Sequence, residues 1–230
     1  MAEGNNNKGR VCVTGGTGYL GSWMVKRLLE DGYSVNTTVR IHPERNISYL
    51  TNLPGASERL QIFNADLDKP DSFASAIEGC TGVFHLAHPT DFHDKVTEEI
   101  NTKRAISGLL GILQACLDSK TVKKVVYTSS LATVTYNDKA DVSKIKDESS
   151  WTDVDYARGF GSPEGWYTLS KTLTEKTALD FAEKHGLDVV TVLPSWIHGP
   201  FITSACPFSV SVCMALILGM FSYSLWLLSN

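Results

Sequence analysis

The chain has no basic surplus, no paired cysteines and no charge over its final stretch, and each absence argues against a class of protein. Lysine and arginine number 21 against 25 acidic residues, a formal net charge of −4, and no Lys/Arg-rich block occurs. Nothing here neutralises a run of phosphates, so no nucleic-acid partner is expected. The five cysteines, Cys12, Cys80, Cys116, Cys206 and Cys213, are odd in number and never stand as CxxC. That weighs against a disulfide framework and a thiolate metal site, and fits a reducing compartment. The opening MAEGNNNKGR lacks the apolar run of a leader peptide, which predicts a cytoplasmic protein with a disordered N-terminus over residues 1–9. After Asp188 no Asp, Glu, Lys or Arg occurs. The apolar run over 208–228 has the length of a bilayer span, about 20 residues. Its recurring serines and the want of a basic flank weigh against a membrane anchor. A buried helix separated from its packing partners reads the same way.

Between residues 10 and 194, short β-branched runs alternate with longer helical patterns. RVCVT, SVNTTVR, LQIFNAD, GVFHLA, KKVVYTSS and LDVVTVLP read as six strands. YLGSWMVKRLLEDG reads as a helix with Leu20, Trp23, Met24, Arg27 and Leu28 on one face and Gly32 as its stop. DSFASAIEG reads as a helix capped by Asp71, and residues 97–118 as one with Ile106, Leu109, Leu110, Leu113 and Leu117 on one side. GWYTLSKTLTEKTALDFAEKHG is the next. Nearly apolar strands separated by helices imply a parallel sheet covered on both faces, because right-handed crossovers lay helices over each face. The expected class is α/β, a doubly wound parallel (Rossmann) sheet over residues 10–203. The irregular stretch from about 135 to 165 is long enough to expect a functional loop.

TGGTGYLGS, residues 14–22, puts four glycines directly between the first strand and the first helix. Gly15, Gly18 and Gly21 form GxxGxxG, where missing side chains let the backbone approach a pyrophosphate at a helix N-terminus. A dinucleotide is the expected ligand. In NAD-preferring sites an acid about 20 residues beyond the glycines holds the ribose hydroxyls. Here that place is held by Arg40, with Arg45 following, and guanidinium forks suit a phosphate. NADP(H) is therefore favoured. Asp66 and Leu67, just past the third strand, stand where an adenine is met, although Asp66 also suits a turn cap.

The reacting end is carried by TSS, residues 128–130, and YTLSK, residues 167–171. Residues i and i+4 share a helix face, so Lys171 is expected beside the Tyr167 phenol, favouring its ionised form and making it a usable proton donor or acceptor. Ser130 would hold a substrate carbonyl oxygen. A YxxxK pair alone is a weak signal. The order is the specific one, since it brings the glycine turn, Ser130 and Tyr167 to one carboxyl edge of the sheet. His85, His88 and His93, with Asp91 and Asp94, do not close a spaced ligand set; strand-end packing is the better account, and no metal is expected.

VCVTGGTGYLGSW, NADLDKPDSFASAIEGCTGVFH, TKRAISGLLGILQAC, VKKVVYTSS, DESSWTD and YTLSKTLTEK resemble the extended short-chain dehydrogenase/reductases, plant flavonoid reductase subgroup, over about residues 9–203. The resemblance implies NADPH-dependent reduction of a small flavonoid-type ketone by a monomer or homodimer. It implies Ser130, Tyr167 and Lys171 as the catalytic set, and cofactor contacts from Thr17, Tyr19, Leu20 and Ala87. It further implies that Lys171 bonds the nicotinamide ribose and that Pro194 lies beside the nicotinamide. Three positions depart from the pattern. Thr135 stands where dihydroflavonol-reducing members carry a substrate-binding asparagine, and GWYTLSK replaces the NWYCYGK of CoA-ester reductases. His88 stands where Ser or Thr is common. Family members continue for roughly another hundred residues. Residues 204–230 are accordingly expected to be the apolar remnant of a truncated substrate lobe, with NADPH affinity surviving better than turnover.

Overall fold

The computed structural model describes residues 8–40, 46–89, 97–137 and 145–220. Six strands form one wholly parallel sheet: β1 Arg10–Thr14, β2 Ser34–Val39, β3 Leu60–Asn64, β4 Gly82–His85, β5 Lys124–Thr128 and β6 Val189–Val192. Their order is β3-β2-β1-β4-β5-β6, so the chain reverses direction across the sheet between β1 and β4. A crevice opens at such a reversal, beyond the carboxyl ends of the strands. The register aligns those ends: Thr14 lies opposite His85, His85 opposite Tyr127, and Thr128 opposite Val192.

Helices cover both faces. They are α1 Tyr19–Glu30, α2 Ser48–Thr51, α3 Ala56–Arg59, α4 Ala74–Ile77, α5 Glu98–Ser119, α6 Ala132–Thr135, α7 Val154–Arg158, α8 Pro163–His185 and α9 Phe208–Ile217. Strand side chains alternate between faces. Val11 and Val13 therefore join Val25, Leu29, Val35 and Leu50 on one face, while Cys12 joins Phe73, Ile77, Leu109 and Leu113 on the other. Each such burial contributes about 1.5–3 kcal/mol. The cysteines of the described chain are all free, and those of the core, Cys12, Cys80 and Cys116, serve as small apolar side chains.

The expected class and all six strands are present, but the buried face of α1 is rotated and that of α5, which keeps Leu109 and Leu113, is extended by small and polar residues. The buried face of α1 is Gly21, Ser22, Val25, Leu28 and Leu29, which keeps only Leu28 of the expected Leu20–Trp23–Met24–Arg27–Leu28 stripe. The buried face of α5 includes Asn101, Thr102, Ala105 and Gly108 beside Leu109, Ile112 and Leu113. Small residues face inward because backbone is the contact: a Cβ on Gly108 would run into Leu67, and one on Gly111 into Pro70. Asp71 is not a cap. A 3₁₀ turn starts at Pro70 with Lys69 in the cap position, and α4 follows it. The stretch from 135 to 165 holds α7, with residues 138–144 outside the described part. No helix among the described residues is long and apolar enough to cross a membrane. The run over 208–228 is α9 up to Ile217, and residues 221–230 lie outside the described part.

Candidate active site

The turn between β1 and α1 is built by exclusion of side chains. Gly15 has φ +75°, and a Cβ there would sit 3.1 Å from the Ala87 Cα. A Cβ on Gly16 would collide with Thr37 Oγ1, and one on Gly21 with the Gly15 carbonyl oxygen. Thr97, Asp153 and Ser162 cap α5, α7 and α8 by accepting first-turn N–H groups, but α1 begins at Gly18 with no side-chain cap. The positive end of α1 thus faces the turn without a carboxylate or hydroxyl of its own, as an anion site requires. Tyr49 steadies the turn by donating to the Thr17 carbonyl at 3.1 Å. Beside it lies a cavity of about 650 Å³ lined by Thr17, Gly18, Tyr19, Arg40, Tyr49 and the 203–207 segment. Leu20, half-buried, fills the first turn of α1. These residues fit a dinucleotide phosphate, with Arg40 exposed at the end of β2.

Two other expected contacts, Asp66 and Leu67, lie just past β3. Leu67 packs against Gly108 of α5 and the core, so its side chain is committed inward. Asp66 Oδ1 accepts from Asp68 N at 3.1 Å, the turn-capping alternative. Arg45, Asp91, His93 and Asp94 lie outside the described residues.

The end of β4 is tied to β1 through one hydroxyl. Thr14 Oγ1 accepts the N–H groups of Leu86 and Ala87, each at 3.1 Å, and lies 2.8 Å from His85 Nδ1. With both lone pairs taken it donates to Nδ1, which puts the ring proton on Nε2. His85 stacks on Tyr127 at 5.3 Å, and burial, reinforced by Lys171, lowers its pKa to about 3. It is a neutral packing residue of the strand end. Half-buried His88 sets its ring edge-on to Tyr167 at 5.9 Å, and burial, Lys171 and His85 lower its pKa.

The Ser130 segment is held against the chain leaving β6: Ser129 N donates to the Val192 carbonyl and Leu131 N to the Pro194 carbonyl, both at 2.9 Å. Ser130 is buried and its Oγ accepts from Ala132 N at 3.2 Å. From α8, Tyr167 is hydrogen-bonded to Ser130; burial raises the phenol's pKa and that bond opposes the rise. Lys171 donates to the Thr128 carbonyl at 3.0 Å and lies 5.4 Å from the Tyr127 ring centre. Burial brings its pKa down to about 7, against the pull of Glu175. The expectation that Lys171 favours the ionised phenol is therefore corrected: burial dominates, and Tyr167 holds its proton more tightly than a free phenol. Thr135 Oγ1 is spent on the Leu131 carbonyl at 2.7 Å within α6.

Sequence reading passed over Glu175 and Ser129, which meet at 2.6 Å in the interior. The signal was present, since Tyr167, Lys171 and Glu175 recur at i, i+4, i+8 on one face of α8. Trp23, expected on the same face of α1 as Leu28, instead donates its indole N–H to the Pro200 carbonyl at 2.7 Å and ties α1 to the chain beyond β6.

The strand order, the glycine turn at β1 and the polar cluster at the ends of β4, β5 and α8 define a Rossmann-type protein with a candidate site at the sheet reversal. The chain belongs to the NAD dependent epimerase/dehydratase family, whose sequence profile matches residues 11–220. It is 57% identical over 222 residues to vestitone reductase of Medicago sativa, covering 95% of this chain and 66% of that protein. The crystal structure of vestitone reductase from alfalfa superposes with a TM-score of 0.80 at 54% identity, over 91% of this chain and 64% of that one. Dihydroflavonol 4-reductase of Zea mays is 45% identical over 219 residues, 94% of this chain and 60% of that protein. Gre2 of Candida albicans, crystallised with NADPH, superposes at a TM-score of 0.73 with 30% identity, over 84% of this chain and 59% of that one. The chain thus spans less than two thirds of the length of these relatives.

Proposed function

We propose that the chain is an NADPH-dependent reductase that converts a ketone of a flavonoid-type molecule to an alcohol, with Ser130, Tyr167 and Lys171 as its catalytic residues. The observation that carries the reading is the meeting, at the carboxyl edge of one sheet, of a glycine-rich turn without a side-chain cap and a Ser130–Tyr167 hydrogen bond. In this reading Gly15, Thr17, Gly18, Tyr19 and Leu20 hold the pyrophosphate, Arg40 meets the 2′-phosphate, and Ala87, Lys171 and Pro194 flank the nicotinamide half. The choice of NADPH is supported by Arg40 and by the NADPH complex of Gre2. The choice of substrate class is supported by the identity to vestitone and dihydroflavonol reductases.

The bound cofactor supplies hydride. Ser130 Oγ donates to the substrate carbonyl oxygen, and Tyr167, kept protonated by burial, delivers a proton to that oxygen as charge develops on it. Lys171, with a pKa of about 7, carries substantial charge near neutrality and draws the ribose hydroxyls to the same edge. Fluorescence titration with NADPH and NADH, followed by NADPH oxidation with an isoflavanone and a dihydroflavonol, tests the reading. Tighter binding of NADPH is expected. Tyr167→Phe is expected to lower turnover by about 100-fold or more while leaving NADPH binding intact. A well-folded chain that binds neither nucleotide contradicts it.

A second reading, NADP(H) binding with little turnover, is favoured by the open apolar surface past Pro194. Trp196, Phe201 and Phe208 are 51%, 40% and 52% exposed. A ketone held against so open a surface meets water, and misplacement by about 1 Å costs ~100-fold. NADPH binding without oxidation by any ketone separates the two.

A further inference from the structure

Glu175 is a carboxylate 2% exposed in the middle of α8, and no step above uses it. A buried charge persists only where other groups compensate it. One compensation is the Ser129 hydroxyl, donating to Oε2 at 2.6 Å, while the Ser129 N–H is fixed to the Val192 carbonyl at 2.9 Å. The carboxylate is thereby anchored to the carboxyl end of β5. One turn earlier on the same face of α8, Lys171 is 4% exposed and has its Nζ on the Thr128 carbonyl at 3.0 Å. The two buried side chains thus engage successive residues of the β5 end.

We propose that Glu175 is a positioning residue: the buried counter-charge, anchored on Ser129, that keeps the Lys171 side chain an ammonium directed at the active-site edge. This rests on the reading of Ser130, Tyr167 and Lys171 as the reacting set. Among the described residues, Lys171 is flanked one turn away on α8 by Tyr167 and Glu175 and is met by His85 and His88 from the end of β4 and by Tyr127 from β5. Burial holds both histidines neutral and the Tyr127 phenol protonated. Glu175 supplies the negative charge that opposes the loss of the Lys171 proton.

The test reads Lys171 directly in the chain without cofactor or ketone, by NMR titration of protein labelled with ¹³C at lysine Cε and glutamate Cδ. Lys171→Met assigns the lysine signal. Glu175→Gln removes the charge but still accepts from Ser129, and is expected to move the Lys171 midpoint to lower pH by about one unit or more. Glu175→Asp, which keeps the charge, is expected to restore it towards wild type, and the pH profile of NADPH oxidation is expected to follow the same order. In the wild-type chain the Glu175 carboxyl carbon, assigned by its loss in Glu175→Gln, is expected to inflect at the Lys171 midpoint. An unchanged Lys171 midpoint in folded Glu175→Gln, or a Glu175 carbon blind to the Lys171 titration, overturns the proposal. Intact coupling in a chain that reduces no ketone supports it and contradicts the proposed function alone.

Discussion

Tyr167 and Lys171 sit one turn apart on α8, and burial acts on them in opposite senses. The phenol holds its proton more tightly than in water and the ammonium less tightly, so near neutrality one is a secure acid and the other is close to its titration point. The i, i+4 spacing identified the pair but not this division, because spacing carries no information on desolvation. His88 shows the same limit: the sequence marked it as a departure, and only the fold sets its ring against Tyr167. Glycines were the more legible residues, since a close backbone approach leaves no other choice. Gly21→Ala puts a Cβ against the Gly15 carbonyl oxygen, a backbone atom that cannot move aside without opening the turn. NADPH affinity is expected to fall by about 10-fold or more, ~1.4 kcal/mol, in a fluorescence titration. Unchanged affinity would mean that this turn does not hold the nucleotide.

Among the elements, α8 carries Tyr167 and Lys171 of the proposed site, and its ends are set by local chemistry. Ser162 Oγ accepts from Gly165 N at 3.3 Å, Pro163 occupies the first turn, and Gly186 closes the helix at φ +66°. Ser162→Ala is expected to cost about 1 kcal/mol, lowering Tm by roughly 2–4 °C for a chain of this size. Thermal unfolding checks it. The central strands β1 and β2 were readable because buried parallel strands are rich in β-branched residues along their length, and α8 because Gly186 ends it. The inward faces of α1 and α5 were not, because Gly21, Ser22 and Gly108 are buried for their smallness, whereas a periodicity argument looks for large apolar side chains. The buried face of α8 was hidden for a related reason. It is lined by Thr168, Ser170, Lys171, Thr172, Thr174 and Glu175, a polar set that pattern alone assigns to solvent.

The buried ionisable groups also set how stability of the whole molecule depends on pH. His85 has its folded pKa lowered from 6.5 to about 3, so the unfolded chain takes up a proton first and stability falls as pH drops through that window. The loss is on the order of a few kcal/mol. Lys171 is lowered from 10.5 to about 7, so its contribution grows as pH rises from 7. The thiols Cys80 and Cys116 are raised by burial from 9.0 to about 11 and 12, so their contribution is lost as pH climbs past 9. Denaturant melts are expected to place maximal stability between about pH 7 and 9, with a fall on the acid side that His85→Asn reduces. At the far edge of the sheet, β6 leaves Val190 and Val192 41% and 46% exposed, and in the chain beyond it Trp196 and Phe208 meet at 6.1 Å while each stays about half exposed. How well a ketone is positioned there decides between the two readings of function. The most direct measurement follows the hydride: the chain is incubated with a flavonoid-type ketone and NADPH carrying deuterium on the transferring face of nicotinamide C4, and the alcohol is analysed by mass spectrometry. One deuterium per alcohol in the wild-type chain, with product formation suppressed in Tyr167→Phe, is the expected result; no alcohol from a folded, NADPH-bound chain, or alcohol without the label, contradicts the account.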